Sequence, residues 1–184
     1  FRGFSGTIVS GTVKPGDAIK VLPSGKTSTV ERVVTFGGDL AAGVAGQSLT
    51  ITLKDEIDVS RGDILCVANS PLEVSDQFQV DILWMDEEAM LPGRPYIIKM
   101  GTKQVPGTVE GIKYKVNVNT MEHQAAKSLA LNEIGVCNLE LDTPVAFAPY
   151  EENRHLGSFI IIDRFTNNTV GMGLVRFALR RAAN

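Results

Sequence analysis

Apolar and polar residues alternate with a period of two along most of this chain. Leu49, Ile51 and Leu53 alternate with Ser48, Thr50 and Thr52, and Phe78, Val80, Ile82 and Trp84 alternate with Gln77, Gln79 and Asp81. Ile112, Tyr114, Val116 and Val118 are interleaved with Lys113, Lys115 and Asn117, and Cys137, Leu139 and Leu141 with Asn138 and Glu140. Successive side chains of a strand point to opposite faces, so each segment predicts a strand with one face in a core and one in water. Turn residues separate the segments at short spacing: Lys14-Pro15-Gly16-Asp17, Gly37-Gly38-Asp39, Ser60-Arg61-Gly62-Asp63, Leu91-Pro92-Gly93 and Thr166-Asn167-Asn168-Thr169. Many short strands joined by such turns predict an all-β fold whose sheets close into barrels, because closure removes exposed edges.

Ala68-Asn69-Ser70-Pro71 interrupts the pattern, and a new strand series opens at Ser75-Asp76-Gln77-Phe78. The expected organisation is two consecutive β-barrels, a smaller one over residues 1–70 and a larger one over 74–176, with a connector over 177–184. Residues 175–183 favour helix and carry no turn chemistry, which predicts a C-terminal helix or the start of that connector.

Composition narrows the classes of partner. A formal charge of −3 and an isoelectric point near 5.4 give no basic footprint for a polyanion, which disfavours nucleic acid. No apolar run approaches the length of a membrane span. Only Cys66 and Cys137 are present, each inside an apolar run, which excludes a disulfide framework or a CxxC metal site and points to a reducing compartment, the cytoplasm. The chain starts at Phe1-Arg2-Gly3 without methionine or signal sequence, which sets the expectation of a fragment of a longer protein.

Ser24-Gly25-Lys26-Thr27 has the ending of a phosphate-binding loop, but Lys20 occupies the position of the loop's first glycine. The β-branched run that follows favours a strand over the helix such a loop needs, so a hairpin is expected. The GTPase strings DxxG and NKxD are absent, as are HExxH and GxSxG. His123 and His155 stand apart and read as polar loop residues. Asp86-Glu87-Glu88 reads as a solvated acidic loop, Arg61-Gly62-Asp63 as a strand-entry turn, and Asn167-Asn168-Thr169 as a sequon without secretory context. No catalytic, cofactor-binding or metal-ligating residue is therefore expected in this stretch. A site assembled in space from Asp86, Glu88, Arg154 and His155 is the enzymatic alternative. Asn153, Arg154 and His155, in a loop of mixed charge before the apolar run 159–162, are the candidate partner contacts.

Residues Gly6-Thr7-Ile8-Val9-Ser10-Gly11-Thr12-Val13-Lys14-Pro15-Gly16-Asp17 resemble the second-domain signature of translational GTPases, and Ile57-Asp58-Val59-Ser60-Arg61-Gly62-Asp63-Ile64-Leu65 resembles that domain's closing strand. Further motifs sharpen the likeness: Phe1-Arg2-Gly3-Phe4-Ser5-Gly6, Leu22-Pro23-Ser24-Gly25-Lys26-Thr27, Val74-Ser75-Asp76, Asn117-Val118-Asn119-Thr120, Leu131-Asn132-Glu133-Ile134-Gly135, and Asn153-Arg154-His155-Leu156-Gly157-Ser158-Phe159-Ile160. Together they resemble the large, GTPase-type subunit of bacterial sulfate adenylyltransferase, and residues 177–184 resemble the junction to a fused adenylylsulfate kinase domain.

The resemblance implies elongation factor Tu-like second and third domains. It implies as partners an N-terminal GTPase domain holding GTP and Mg, a small adenylyl-transferring subunit that uses ATP, and a C-terminal kinase domain. The parent enzyme would make adenosine 5′-phosphosulfate from ATP and sulfate, driven by GTP hydrolysis, with these barrels as non-catalytic coupling and docking modules. The rival reading is a pair of barrels that bind tRNA or protein in an elongation factor-like GTPase.

Overall fold

The computed structural model describes residues 1–179, and these form strands and turns with no helix. The chain divides into two compact units, Phe1–Pro71 and Leu72 onward.

The first unit contains β1 (Phe4–Thr7), β2 (Thr12–Val13), β3 (Ala18–Leu22), β4 (Thr27–Thr35), β5 (Gly38–Leu40), β6 (Gly43–Val44), β7 (Ser48–Leu53) and β8 (Ile64–Val67). One antiparallel sheet runs β1-β7-β4-β3-β8 with β5 beside β4, and β2 and β6 make a separate ribbon. The start of β4 pairs with β3, and its remainder pairs with β7 after a register shift between Val30 and Arg32. A bulge of this kind bends its strand, so one long strand can serve two directions of a curled sheet. Ile19, Val21, Val30, Val33 and Leu49 fill the interior, with Ile8, Val13 and Leu65 packed against them. On β7, Ser48 faces water as its alternation predicts, but Thr52 does not. It lies buried opposite Arg32, beside the bulge, and its hydroxyl has no partner.

The second unit contains β9 (Glu73–Trp84), β10 (Pro95–Met100), β11 (Lys103–Val116), β12 (His123–Gln124), β13 (Ile134–Phe147), β14 (Ser158–Ile162) and β15 (Thr169–Ala178). The order β10-β14-β15-β9-β13-β11, with β10 also paired to β11, closes a barrel, and β12 extends the sheet beyond β11. The apolar face of β9 is as expected, with Phe78, Val80, Ile82 and Trp84 all buried, but Gln79 of its polar face is buried as well, and Val118, expected on an inward face, lies beyond the end of β11 and is exposed. Phe78 meets Phe147 edge to face at 4.8 Å between ring centroids, an arrangement favoured by the ring quadrupoles. Bulges in β11, β13 and β15 supply the curvature that closure needs.

The expectation of a helix over 175–183 is wrong for its described part, and the expected connector starts too early. β15 continues through Ala178: Phe177 and Ala178 pair with Gln79 and Phe78 of β9, and Arg176 is the bulged residue between them and Val175. Barrel closure gives Phe177 and Ala178 partners on β9 and buries Val175, which outweighs a local helix propensity of a few tenths of a kcal/mol per residue. Residues 180–184 lie outside the described residues.

The loops of this barrel fall at two ends. At the entry end the chain enters at Glu73, which pairs with Phe147, and β15 finishes at Ala178, opposite Phe78. The β10–β11 turn and the loop 148–157 share that end. The distal end carries the connections 85–94, 117–133 and 163–168. Met90 and Leu129 exchange backbone hydrogen bonds there and are both fully buried, so they plug the barrel mouth.

Candidate functional site

Ser24-Gly25-Lys26-Thr27 forms the hairpin between β3 and β4. The Gly25 N–H donates to the Val21 carbonyl at 2.6 Å, the Val21 N–H donates to the Lys26 carbonyl at 2.8 Å, and the Lys26 N–H turns to Ser24 Oγ at 3.3 Å. The N–H groups of Gly25 and Lys26, which would have to cradle a phosphate, are thus used inside the turn. Lys20, at the missing first glycine, donates its Nζ to the Ser70 carbonyl at 3.0 Å. The residues present do not fit a nucleotide phosphate.

Arg61-Gly62-Asp63 is a strand-entry turn with the same build as Pro15-Gly16-Asp17. In each, glycine has positive φ (94° at Gly16, 91° at Gly62), and the aspartate carboxylate accepts from the N–H three residues earlier. The two turns lead into β3 and β8, which are themselves paired.

The groups capable of chemistry are dispersed. Burial pushes the Cys137 thiol up to about 12 and raises that of the half-buried Cys66, so neither is held as a reactive thiolate. His123 is not a loop residue as expected: it sits on β12, its ring stacked on Tyr114 at 3.8 Å between centroids. Asp86-Glu87-Glu88 is an ordered surface loop whose Glu88 carbonyl accepts the Trp84 indole N–H at 2.7 Å. It lies at the distal end, whereas Arg154 and His155 lie at the entry end, so the four residues of the enzymatic alternative do not converge. Among the described residues no group of three or more His, Cys, Asp or Glu could hold a metal ion.

The loop carrying the candidate contacts is built by its own hydrogen bonds. Asn153 Oδ1 accepts from the N–H groups of His155 and Leu156 at 3.0 and 3.1 Å, and Ser158 Oγ donates to the Arg154 carbonyl at 2.7 Å. Asn153 is therefore a positioning residue for the turn, and Arg154 and His155 are exposed upon it. His155 stands over the β10–β11 turn, where a Cβ on Gly101 would be 3.7 Å from its Nε2.

Three features escape the sequence reading. Arg94 donates to Asp163 at 2.9 Å and lies 5.5 Å from the Tyr96 ring centre, tying the start of β10 to the loop 163–168. The Thr166 and Phe165 N–H groups, with Arg94 adding its charge, hold the Asp163 carboxyl below the usual carboxylate range. The Tyr96 hydroxyl is buried without a partner, and burial raises its pKa. On the first unit an open groove of about 610 Å³ is lined by Ser5, Thr7, Ser48 and Thr50 between Phe1 and Phe36. Its hydroxyls already pair across the strands, Ser5 with Thr50 at 2.8 Å and Thr7 with Ser48 at 3.1 Å, and no titratable side chain lines it. Such a groove is suited to contact and not to proton transfer.

Closed antiparallel sheets without convergent chemistry match known proteins closely. The family described as GTP-eEF1A C-terminal domain-like matches residues 77–176. The chain belongs to that family. The family described as elongation factor Tu domain 2 matches residues 4–66. The chain is 51% identical over its whole length to the bifunctional enzyme NodQ of Rhizobium sp. (strain N33), covering 28% of that protein. It is 50% identical over its whole length to the bifunctional enzyme CysN/CysC of Xylella fastidiosa (strain Temecula1), covering 30% of it. Sulfate adenylyltransferase subunit 1 of Aeromonas hydrophila is 52% identical over 95% of this chain, which covers 37% of that subunit. The chain thus spans about a third of the curated relatives it matches. Sup35 complexed with GDP superposes with a TM-score of 0.86 at 19% identity, over 96% of this chain and 44% of that one, which establishes the shared fold.

Proposed function

We propose that the two units are the non-catalytic coupling and docking barrels of a sulfate adenylyltransferase large subunit. The observation that carries this reading is identity near 50% along the whole chain to relatives bearing that name or the bifunctional ones. The parent enzyme would make adenosine 5′-phosphosulfate and pyrophosphate from ATP and sulfate in the cytoplasm. GTP and Mg would be held by an N-terminal GTPase domain, ATP by the small adenylyl-transferring subunit, and a C-terminal adenylylsulfate kinase domain would follow. No helix of the described residues is long and apolar enough to cross a membrane.

In this account the barrels act by position. Densely packed cores transmit displacement without absorbing it, so a rotation driven by the nucleotide state elsewhere reaches the adenylyl-transfer site as a rigid-body movement. The coupling is reciprocal for binding: what GTP does to the partner's ligands, they do to GTP. Arg154 and His155, at the end where the chain enters and leaves the second barrel, are proposed to contact a neighbouring domain of the same polypeptide. An RNA-gripping role is disfavoured by the net negative charge.

The test is turnover by the isolated 184-residue chain. Incubated with ATP and sulfate, or with GTP, it is expected to release neither pyrophosphate nor phosphate above a blank. Measurable product would overturn the non-catalytic reading.

A further inference from the structure

The two units are unequally filled. The hydrophobic cluster of the first consists of five buried residues, Ile19, Val21, Val30, Val33 and Leu49, while that of the second gathers twenty. Length alone does not explain the difference, since the second unit is less than twice as long as the first. Side-chain type widens it. Phe78, Trp84, Tyr96, Phe147 and Phe159 lie inside the second cluster, and a buried aromatic removes roughly 150–250 Å² from water. Phe1, Phe4 and Phe36, the aromatic residues of the first unit, lie outside its cluster, and Phe36 is fully exposed. Ile8, Ile51, Leu53 and Ile57 pack against the first cluster but are only partly buried.

Sheet topology points the same way. β10 pairs with both β14 and β11, which joins the ends of the second sheet, so its long strands brace one another around the barrel. Among the described residues β1 pairs only with β7 and β8 only with β3, and each ends the first sheet. An end strand comes away by parting from one neighbour, whereas a strand within a closed barrel must part from two. Hydrophobic burial is the main force opposing chain entropy, so the unit with the smaller core and the open sheet is the less stable.

From these observations we propose that the first unit is a yielding module joined to a stiff one: it opens as a cooperative unit of its own, well before the second barrel loses its core. Elements that move in conformational coupling are drawn from the low-stability end of a structure. The inference concerns the chain itself. Set beside the coupling role proposed above, it assigns the stiff part to the second barrel and the yielding part to the first.

The only tryptophan of the chain makes the test direct. Trp84 is buried in the second cluster, edge to face with Tyr96 at 5.6 Å between ring centroids, so its emission reports on the second unit. Far-UV circular dichroism sums the strands of both. In a urea titration of the 184-residue chain, the dichroism is expected to fall in two steps, the first at urea concentrations where Trp84 emission is still native. Val33→Ala is expected to move the first step to lower urea and leave the Trp84 midpoint in place, and Ile161→Ala to move the Trp84 midpoint. Without denaturant, the slowest amides of β3, β4 and β7 in the wild type are expected to exchange at least about tenfold faster than those of β9 and β13, a readout that does not depend on a variant folding. A coincident transition by both probes would overturn the proposal, as would equal protection of the two units' slowest amides or loss of native Trp84 emission ahead of the first dichroism step.

Discussion

Gly157 shows how a single residue can carry a constraint that composition hides. A Cβ there would collide with the Tyr150 backbone N and lie 2.6 Å from the Ala148 carbonyl oxygen, and backbone cannot move aside as a rotamer can. Gly157→Ala is expected to destabilise the second barrel by about 1–3 kcal/mol, read as a lower denaturant midpoint at unchanged slope. Two carboxylates set the acid limit. Asp163 is held low by the Thr166 and Phe165 N–H groups, and Glu133 by Lys115, which donates at 2.6 Å, and by the Ala130 N–H. Depressed folded values mean that their stabilisation is complete above the unfolded value near 4 and is lost as pH falls below it through the folded values. Melting temperature followed from about pH 6 to about pH 2 should therefore fall more steeply below pH 4 for the wild type than for Asp163→Asn with Glu133→Gln. The sequence shows none of this, because the donors to Asp163 come from loop geometry and Lys115 meets Glu133 only through strand pairing.

Elements were legible where one force decides them. The β3–β4 hairpin follows from β-branched residues flanking Pro23-Ser24-Gly25, and the structure places its turn there. Because the turn uses its own N–H groups, Lys26→Ala is expected to leave GTP hydrolysis by the full enzyme unchanged in a steady-state phosphate-release assay. The end of β15 was illegible because propensity and closure disagree: residues 176–178 favour helix locally, and only the waiting edge of β9 makes them strand. The distal plug was missed for a related reason, since Met90 and Leu129 sit in irregular segments with no periodicity to read. Leu129→Ala is expected to cost about 2–5 kcal/mol and to loosen the loops 85–94 and 117–133, visible as faster amide hydrogen exchange confined to the distal end.

At the scale of the molecule, the all-β class and the likeness to translational GTPase domains were readable from alternation, turn chemistry and a few ordered motifs. The location of a partner surface was not. Asn153, Arg154 and His155 stand out in sequence by mixed charge, yet Asn153 serves its own loop. The difference between the two cores was not legible either, since which apolar residues gather inside each unit is settled only when its sheet curls. Hydroxyl pairs between strands in the first unit and ion pairs in the second hold their surfaces in place, an arrangement suited to keeping shape. For the coupling role proposed above, the most direct measurement is the ratio of GTP hydrolysed to adenosine 5′-phosphosulfate formed, in the proposed two-subunit enzyme and in one whose large subunit lacks both barrels. The account predicts a fixed ratio in the first, and in the second GTP hydrolysis that no longer responds to ATP and sulfate. The same ratio in both enzymes would contradict it.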